Sequence, residues 1–348
     1  MKVLMAAVFL AATVSGVCAM DYETGTLIEE IRCRQAQSYS YMLYLPSGYA
    51  PDRETKWPVL FVMGPEGGTE EGIRRYIKGA EKNNWIVAMS IQSKDGFKGS
   101  KNAVAAMAGD AFKRFAVDKE RCYATGMSGG ARLAFWLANE RKQNIIGIIP
   151  CGAGDAGNRY SSRALAYGLC GGYCYSRWDM AVTFDEHIRD NGLLRFFEGG
   201  HVWADEDLMF DAITWLNAKY LAKNGTPDEL GQFSEMLYNE ILEQYENDMY
   251  FAYESSKILS GMLKAPHADK ARELVDYLEE DPKIKLYNQG LDEMADFVEK
   301  HFDTDANDCR NNRLTRRQKE DADELLEKYG ETPLAPIIRD FGKPSKKL

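Results

Sequence analysis

Residues 126–130 read Gly-Met-Ser-Gly-Gly, a G-x-S-x-G pentapeptide with Ser128 at its centre. A serine hydroxyl is a weak nucleophile until a neighbouring base takes its proton. The pattern therefore matters only where the chain holds the serine out towards such a base. The flanking residues meet that condition. Cys122–Met127 is a short apolar run of strand length, and Gly130–Asn139 sets Ala131, Leu133, Ala134, Trp136 and Leu137 on one helical face. A strand that turns sharply into a helix needs small residues at the turn and leaves the serine exposed at the tip. The helix start beneath it offers free N–H groups to an anion.

The elements that must position this serine are legible as alternating runs. Thr26–Leu45 reads as opening strands, followed by a turn at Pro46-Ser47-Gly48. Pro58–Met63 and Trp85–Ile91 are buried strands, with a loop at Gly64–Gly68 and a helix over 71–81 between them. A helix over 103–115 precedes the elbow strand. Ile145–Pro150, Leu165–Cys170 and Leu193–Phe197 supply three more strands, and helices are expected over 178–189 and 208–221. This alternation implies a mainly parallel sheet with helices on both faces. In such sheets sites lie at the carboxyl ends of the strands. Ser128 follows one strand end, Gly64–Gly68 another, and His201 a third through Glu198-Gly199-Gly200. Of the four histidines, His187 falls inside a predicted amphipathic helix and His267 and His301 fall in the tail. Only His201 has the placement of a catalytic group.

With these pieces in place, residues 36–221 resemble the α/β-hydrolase fold, and within it the exported esterases related to polyhydroxybutyrate depolymerases and feruloyl esterases. The resemblance is carried by Tyr41-Met42-Leu43-Tyr44-Leu45-Pro46-Ser47-Gly48-Tyr49, Trp57-Pro58-Val59-Leu60, Val117-Asp118, Ser128-Gly129-Gly130-Ala131-Arg132 and Phe197-Glu198-Gly199-Gly200-His201-Val202-Trp203. It implies ester hydrolysis with Ser128 as nucleophile and His201 as general base. The oxyanion would be held by the N–H of Gly129 and by one from the Gly64–Gly68 loop.

Two positions depart from that pattern. Many relatives carry His-Gly after the third strand, where this chain has Met63-Gly64-Pro65. Pro65 has no N–H, so Glu66 or Gly67 is expected to donate, and Gly67 carries no charge to oppose an oxyanion. The acid of the triad is also displaced. Its expected position falls at Cys174, and a neutral thiol or a disulfide there cannot stabilise an imidazolium. Asp179, five residues on at a helix start, is the expected substitute, and Asp155 is a second. The alternative role of Asp179 is a helix cap.

Composition narrows the function further. Residues 1–223 carry 25 acidic and 26 basic side chains, and residues 224–348 carry 28 and 17, so the net charge of −10 belongs to the C-terminal third. That argues against nucleic acid as a partner. The short basic cluster Arg310–Lys319 reads as a solvated face. No Rossmann or P-loop glycine pattern is present, so no nucleotide cofactor is expected. Scattered histidines and the lack of paired C-x-x-C likewise give no metal site. Residues 1–19 read as a secretory signal, with Lys2, the apolar run Val3–Val14 and small residues at Val17-Cys18-Ala19. The mature chain would start at Met20 and be secreted or periplasmic, with no membrane span. Its cysteines are Cys33, Cys122, Cys151, Cys170, Cys174 and Cys309. The spacing of Cys170 and Cys174 makes them a local disulfide candidate, while Cys122 and Cys151 read as buried thiols.

The division expected is an α/β part over 20–223 and an acidic all-α part over 224–348. Helices are expected over 229–245, around 271–278, and over 291–302, 318–329 and 336–341. They form either stacked pairs or an irregular bundle packed on the first part. Three functions remain open at this point. One is an exported esterase acting on an acylated saccharide or small ester. Another is a binding or scaffold protein that kept the fold and works on a protein partner through the helical tail. The third is a peptidase on the same fold.

Overall fold

Apolar strands that alternate with helical segments need a sheet covered on both faces. The computed structural model describes residues 22–140, 144–155, 162–302 and 314–345. Residues 1–19, where a signal is expected, Cys309 and the start of the basic cluster lie outside the described residues. Eight strands form one sheet: β1 (Leu27–Arg32), β2 (Ser40–Tyr44), β3 (Trp57–Met63), β4 (Ile86–Ser90), β5 (Val117–Met127), β6 (Ile145–Cys151), β7 (Leu165–Gly171) and β8 (Gly192–Phe197). Their order is β1-β2-β4-β3-β5-β6-β7-β8. β2 pairs antiparallel with β1 and β4, and every other pairing is parallel. This is the strand order of the α/β-hydrolase fold.

The helices of this part are α1 (Glu70–Arg74), α2 (Ile77–Asn83), α3 (Ser100–Arg114), α4 (Gly129–Asn139), α5 (Arg177–Val182) and α6 (Glu206–Asn224). Side-chain alternation along each strand splits the core in two. Val59, Phe61, Ile86, Ala124 and Ile148 face α3 and α4 in one apolar cluster. Leu60, Val62, Val87, Tyr123 and Ile149 face α2 and α6 in the other.

Two predicted helices are interrupted. The stretch 71–81 breaks into α1 and α2, and at the break Tyr76 is fully buried, its hydroxyl 3.3 Å from Thr125 Oγ1 and its ring edge-on to Trp203. Burial of that ring outweighs continuation of the helix. The predicted helix over 178–189 opens after α5 into a π-helical turn at Thr183–Ile188.

A capping box starts the C-terminal helices, with Thr226 and Glu229 reciprocally bonded and Pro227 in the first turn. They are α7 (Pro227–Gln244), α8 (Met249–Ser260), α9 (Ala268–Glu279), α10 (Pro282–Phe302), α11 (Arg316–Tyr329) and α12 (Ala335–Phe341). Consecutive members pack together, α7 on α8, α8 on α9, α10 on α11 and α11 on α12. α8 is absent from the sequence reading because its buried face includes Ser255 and Ser256, which interrupt the apolar period. The apolar core runs without a break from the sheet into the tail: Trp178 and Phe196 join Phe297, Phe302 and Phe341 in one ring cluster. Among the described residues no helix is long and apolar enough to cross a membrane.

Candidate active site

The turn from β5 into α4 is sterically forced. Ser128 lies at φ 56°, ψ −118°, a conformation few side chains adopt, and one that is characteristic of strained functional turns. A Cβ on Gly126 or Gly130 would overlap Met63 O, so only glycine lets the elbow pack against the end of β3. The Ser128 N–H is fixed by Cys151 O at 2.9 Å. Its hydroxyl oxygen lies 2.8 Å from His201 Nε2. The structure thus brings together two residues 73 positions apart.

The position at His201 Nδ1 belongs to Cys174, whose Sγ lies 3.1 Å away. This corrects the expectation for the third member. Asp179 instead accepts from Gly154 N–H at 3.0 Å and faces Arg132 at 3.5 Å, because its place at the start of α5 points it at the loop after β6. Asp155 is buried in that same loop with its N–H on Thr183 Oγ1 at 2.8 Å, and its carboxylate does not bond His201.

Cys174 is also in a different state from the one expected. The described cysteines are all free and buried, so Cys170 and Cys174 are not bridged. The neighbouring Cys170 thiol, followed by His201 and the Ser176 N–H, pulls the Cys174 thiol from 9.0 down to about 5 against the burial that raises it. Burial pushes its partner Cys170 well above the ordinary value. A thiol lowered in this way favours the charged form, and a thiolate can stabilise an imidazolium where a neutral thiol cannot. With Nδ1–H donated to sulfur, Nε2 presents its lone pair to Ser128. Tyr175 competes for it, with its hydroxyl 3.0 Å from Nε2 and its ring 4.1 Å from the imidazole.

A direct titration checks this state. The 240 nm absorbance of the folded chain, less that of Cys174→Ser, should fall by one thiolate as pH drops through about 5. Burial raises Cys33 to about 11 and Cys151 to about 12, so these thiols stay silent in that window. The fold lowers this group, so its contribution to stability is full above pH 9.0 and is lost as pH falls to about 5. No absorbance step below pH 7 would mean a neutral thiol.

The oxyanion side is less complete. Gly129 is the first residue of α4, where backbone N–H groups lack intrahelical partners. Gly67, the other expected donor, is already engaged: a turn closed over Pro65 ties its N–H to Gly64 O at 3.2 Å. Gly68 N–H is spent on Ile91 O at 3.2 Å, which leaves Gly64 and Glu66 as the amides of this loop without a backbone partner. An acidic side chain also sits at the hole. Asp95, on the exposed loop after β4, is anchored through its N–H to Pro65 O at 2.8 Å, and a Cβ on Gly129 would overlap its carboxylate. A negative charge there opposes a developing oxyanion. Asp95→Asn should raise kcat/KM on a neutral ester by about three- to tenfold at low salt and by less at high salt. An unchanged rate at both salt concentrations would place the carboxylate outside the reacting field.

A cavity of about 680 Å³ lies elsewhere, between β8, α6 and α8, with Arg195, Asp211, Trp215, Tyr250 and Tyr287 among its walls. It touches neither Ser128 nor His201 and does not set the size of a substrate at the serine. Among the described residues no group of histidine, cysteine and acidic side chains converges to hold a metal ion.

No family model and no curated protein matches this chain. Solved structures do match part of it. A fluorophosphonate-binding serine hydrolase of Staphylococcus aureus is 15% identical over 56% of this chain and 99% of its own, with a TM-score of 0.46. A ferulic acid esterase is 13% identical over 55% of this chain and 98% of its own, with a TM-score of 0.45. An S-formylglutathione hydrolase of Agrobacterium tumefaciens is 12% identical over 55% and 93%, with a TM-score of 0.42.

Proposed function

We propose that this chain is a serine hydrolase of small carboxylic esters, with Ser128 as nucleophile, His201 as general base and the Cys174 thiolate as the third member. The observation that carries this reading is the continuous chain Ser128 Oγ, His201 Nε2, His201 Nδ1 and Cys174 Sγ, with separations of 2.8 and 3.1 Å, on a strained elbow. His201 Nε2 takes the hydroxyl proton as Oγ adds to the ester carbonyl. The oxyanion forms beside the Gly129 N–H. The tetrahedral species then expels the alcohol, which receives the same proton from Nε2. Water repeats the cycle on the acyl-enzyme and releases the acid. The thiolate holds the imidazole in the productive tautomer and offsets its transient positive charge.

An acylated saccharide as substrate and export through the N-terminal segment rest on the sequence alone and form part of the same proposal. The test is p-nitrophenyl acetate and butyrate hydrolysis by the chain from Met20, together with mass-spectrometric mapping of a fluorophosphonate adduct. An adduct on Ser128 and turnover of either ester support the reading. A chain that neither labels nor turns over defeats it.

A second reading is favoured by the Asp95 carboxylate at Gly129 and by the lost donors at Pro65 and Gly67. On it, the chain is a retired hydrolase that binds a partner through its acidic helices. Ser128→Ala would then leave partner capture intact.

A further inference from the structure

The helical tail reaches the reacting residues. We infer that Asp340, on the last helix α12, is a positioning residue that fixes the loop carrying His201. This inference rests on the hydrolase reading for its catalytic consequence.

Asp340 is fully buried, 141 residues beyond the Gly199 N–H, from which its Oδ2 accepts at 2.7 Å. Gly199 lies two residues before His201 and has φ +143°, so this loop has little inherent preference for its conformation. The same loop is tied on its other side by Tyr173 N–H donating to Gly199 O at 3.1 Å. Tyr173 directly precedes Cys174. The histidine loop is thus clamped between the Cys174 loop and α12.

Arg177 completes the clamp from below. It is fully buried, donates from Nη1 to Gly172 O at 2.6 Å and Asp340 O at 3.3 Å, and from Nη2 to Lys343 O at 3.2 Å. Its guanidinium lies over the Trp178 and Phe302 rings at 4.4 and 4.6 Å. Gly172 leaves room for α12, since a Cβ there would come within 2.6 Å of Asp340 Cβ. Lys343 Nζ pairs with the remaining carboxylate oxygen at 2.5 Å.

A helix that only covered apolar surface would need no carboxylate here. α12 already buries Ile338 and Phe341, and Phe341 packs edge-on to Phe196 at 5.1 Å. Burying a charge is unfavourable unless it is fully partnered. Here one oxygen of that charge is spent on a single backbone N–H of the histidine loop. That interaction limits the freedom of Nε2 relative to Ser128, where small displacements have large rate consequences.

The test uses the full mature chain with Asp340→Ala, Asp340→Leu and Asp340→Asn. Alanine and leucine remove the acceptor, and leucine also keeps the space filled. Asparagine retains a carbonyl oxygen for Gly199 N–H. We expect kcat on p-nitrophenyl acetate to fall about 10- to 100-fold for alanine and leucine, with KM changed by less than about threefold. Asparagine should stay within about threefold of the parent. Hydrogen exchange at the Gly199 amide is the second readout and needs no catalysis. It should be slow in the parent and at least about tenfold faster in the leucine variant. Folded alanine and leucine variants with parental kcat and parental Gly199 exchange would overturn the inference. So would a Gly199 amide that exchanges freely in the parent, whether or not any variant folds. If the parent fails to label at Ser128, the hydrolase reading falls, while the exchange result still decides whether Asp340 holds the loop.

Discussion

Cys174→Ala should lower kcat on p-nitrophenyl acetate by about 10³- to 10⁴-fold, close to the cost of removing the acid from a serine triad. The loss has two sources. Without the sulfur, Nδ1–H has no fixed acceptor, so the imidazole can take the wrong tautomer or turn away from Ser128. The positive charge that appears on His201 during attack also loses its counter-charge. Cys174→Asp separates these roles from thiol chemistry. A carboxylate in the same place restores both, and the rate should return to within about tenfold of the parent. Cys174→Ser keeps an acceptor but no charge and should fall between alanine and aspartate. Steady-state kinetics on the folded variants measures all three. An alanine variant as fast as the parent would make the chain a Ser128–His201 dyad and remove Cys174 from the mechanism.

Ser128→Ala and His201→Ala carry the other large effect. Each should reduce kcat by about 10⁵- to 10⁶-fold, and the double variant should be no slower than the worse single one, because nucleophile and base act as a unit. Ser128→Ala should also lose the fluorophosphonate adduct altogether. His201→Ala should keep the serine but react far more slowly with the probe. Losses that simply multiplied in the double variant would mean that the two residues do not share one proton transfer, whatever their 2.8 Å separation.

The aspartate rescue matters beyond kinetics, because the lowered Cys174 thiol is the least local feature of the site. The lowering of the Cys174 thiol depends on the neighbouring Cys170, on the imidazole of His201 and on the Ser176 N–H. From the sequence, Cys174 reads as an interruption of the triad, because a cysteine by itself is a neutral thiol at pH 7. Tyr175 and Asp95 gave no signal at all. One is a loop tyrosine beside a cysteine, the other an exposed aspartate after β4, and only the packing of three loops brings them to His201 and Gly129.

Asp179 shows the opposite error. Its helix-start position is well marked in sequence, and that position is what directs it to Gly154 N–H and Arg132 instead of the histidine. Gly67 reads as a free donor in the sequence, but a turn over Pro65 uses its N–H. The tail was legible as helices and illegible as a support. Its role rests on hydrogen bonds that span 141 to 166 residues, and no periodicity records them.

The sequence by itself determined the mainly parallel sheet, the strand–turn–helix around Ser128 and the placement of His201 after a strand end. Those features follow from apolar period, strand length and the glycine chemistry of turns, all set within about a dozen residues. Tertiary structure alone decided that Cys174 lies at His201 Nδ1, that its thiol is lowered, that the Gly67 N–H is engaged, and that α12 contacts the histidine loop. Protonation state and hydrogen-bond partnership depend on which groups meet in space and how far water is excluded from them, and these quantities exist only once distant segments have packed.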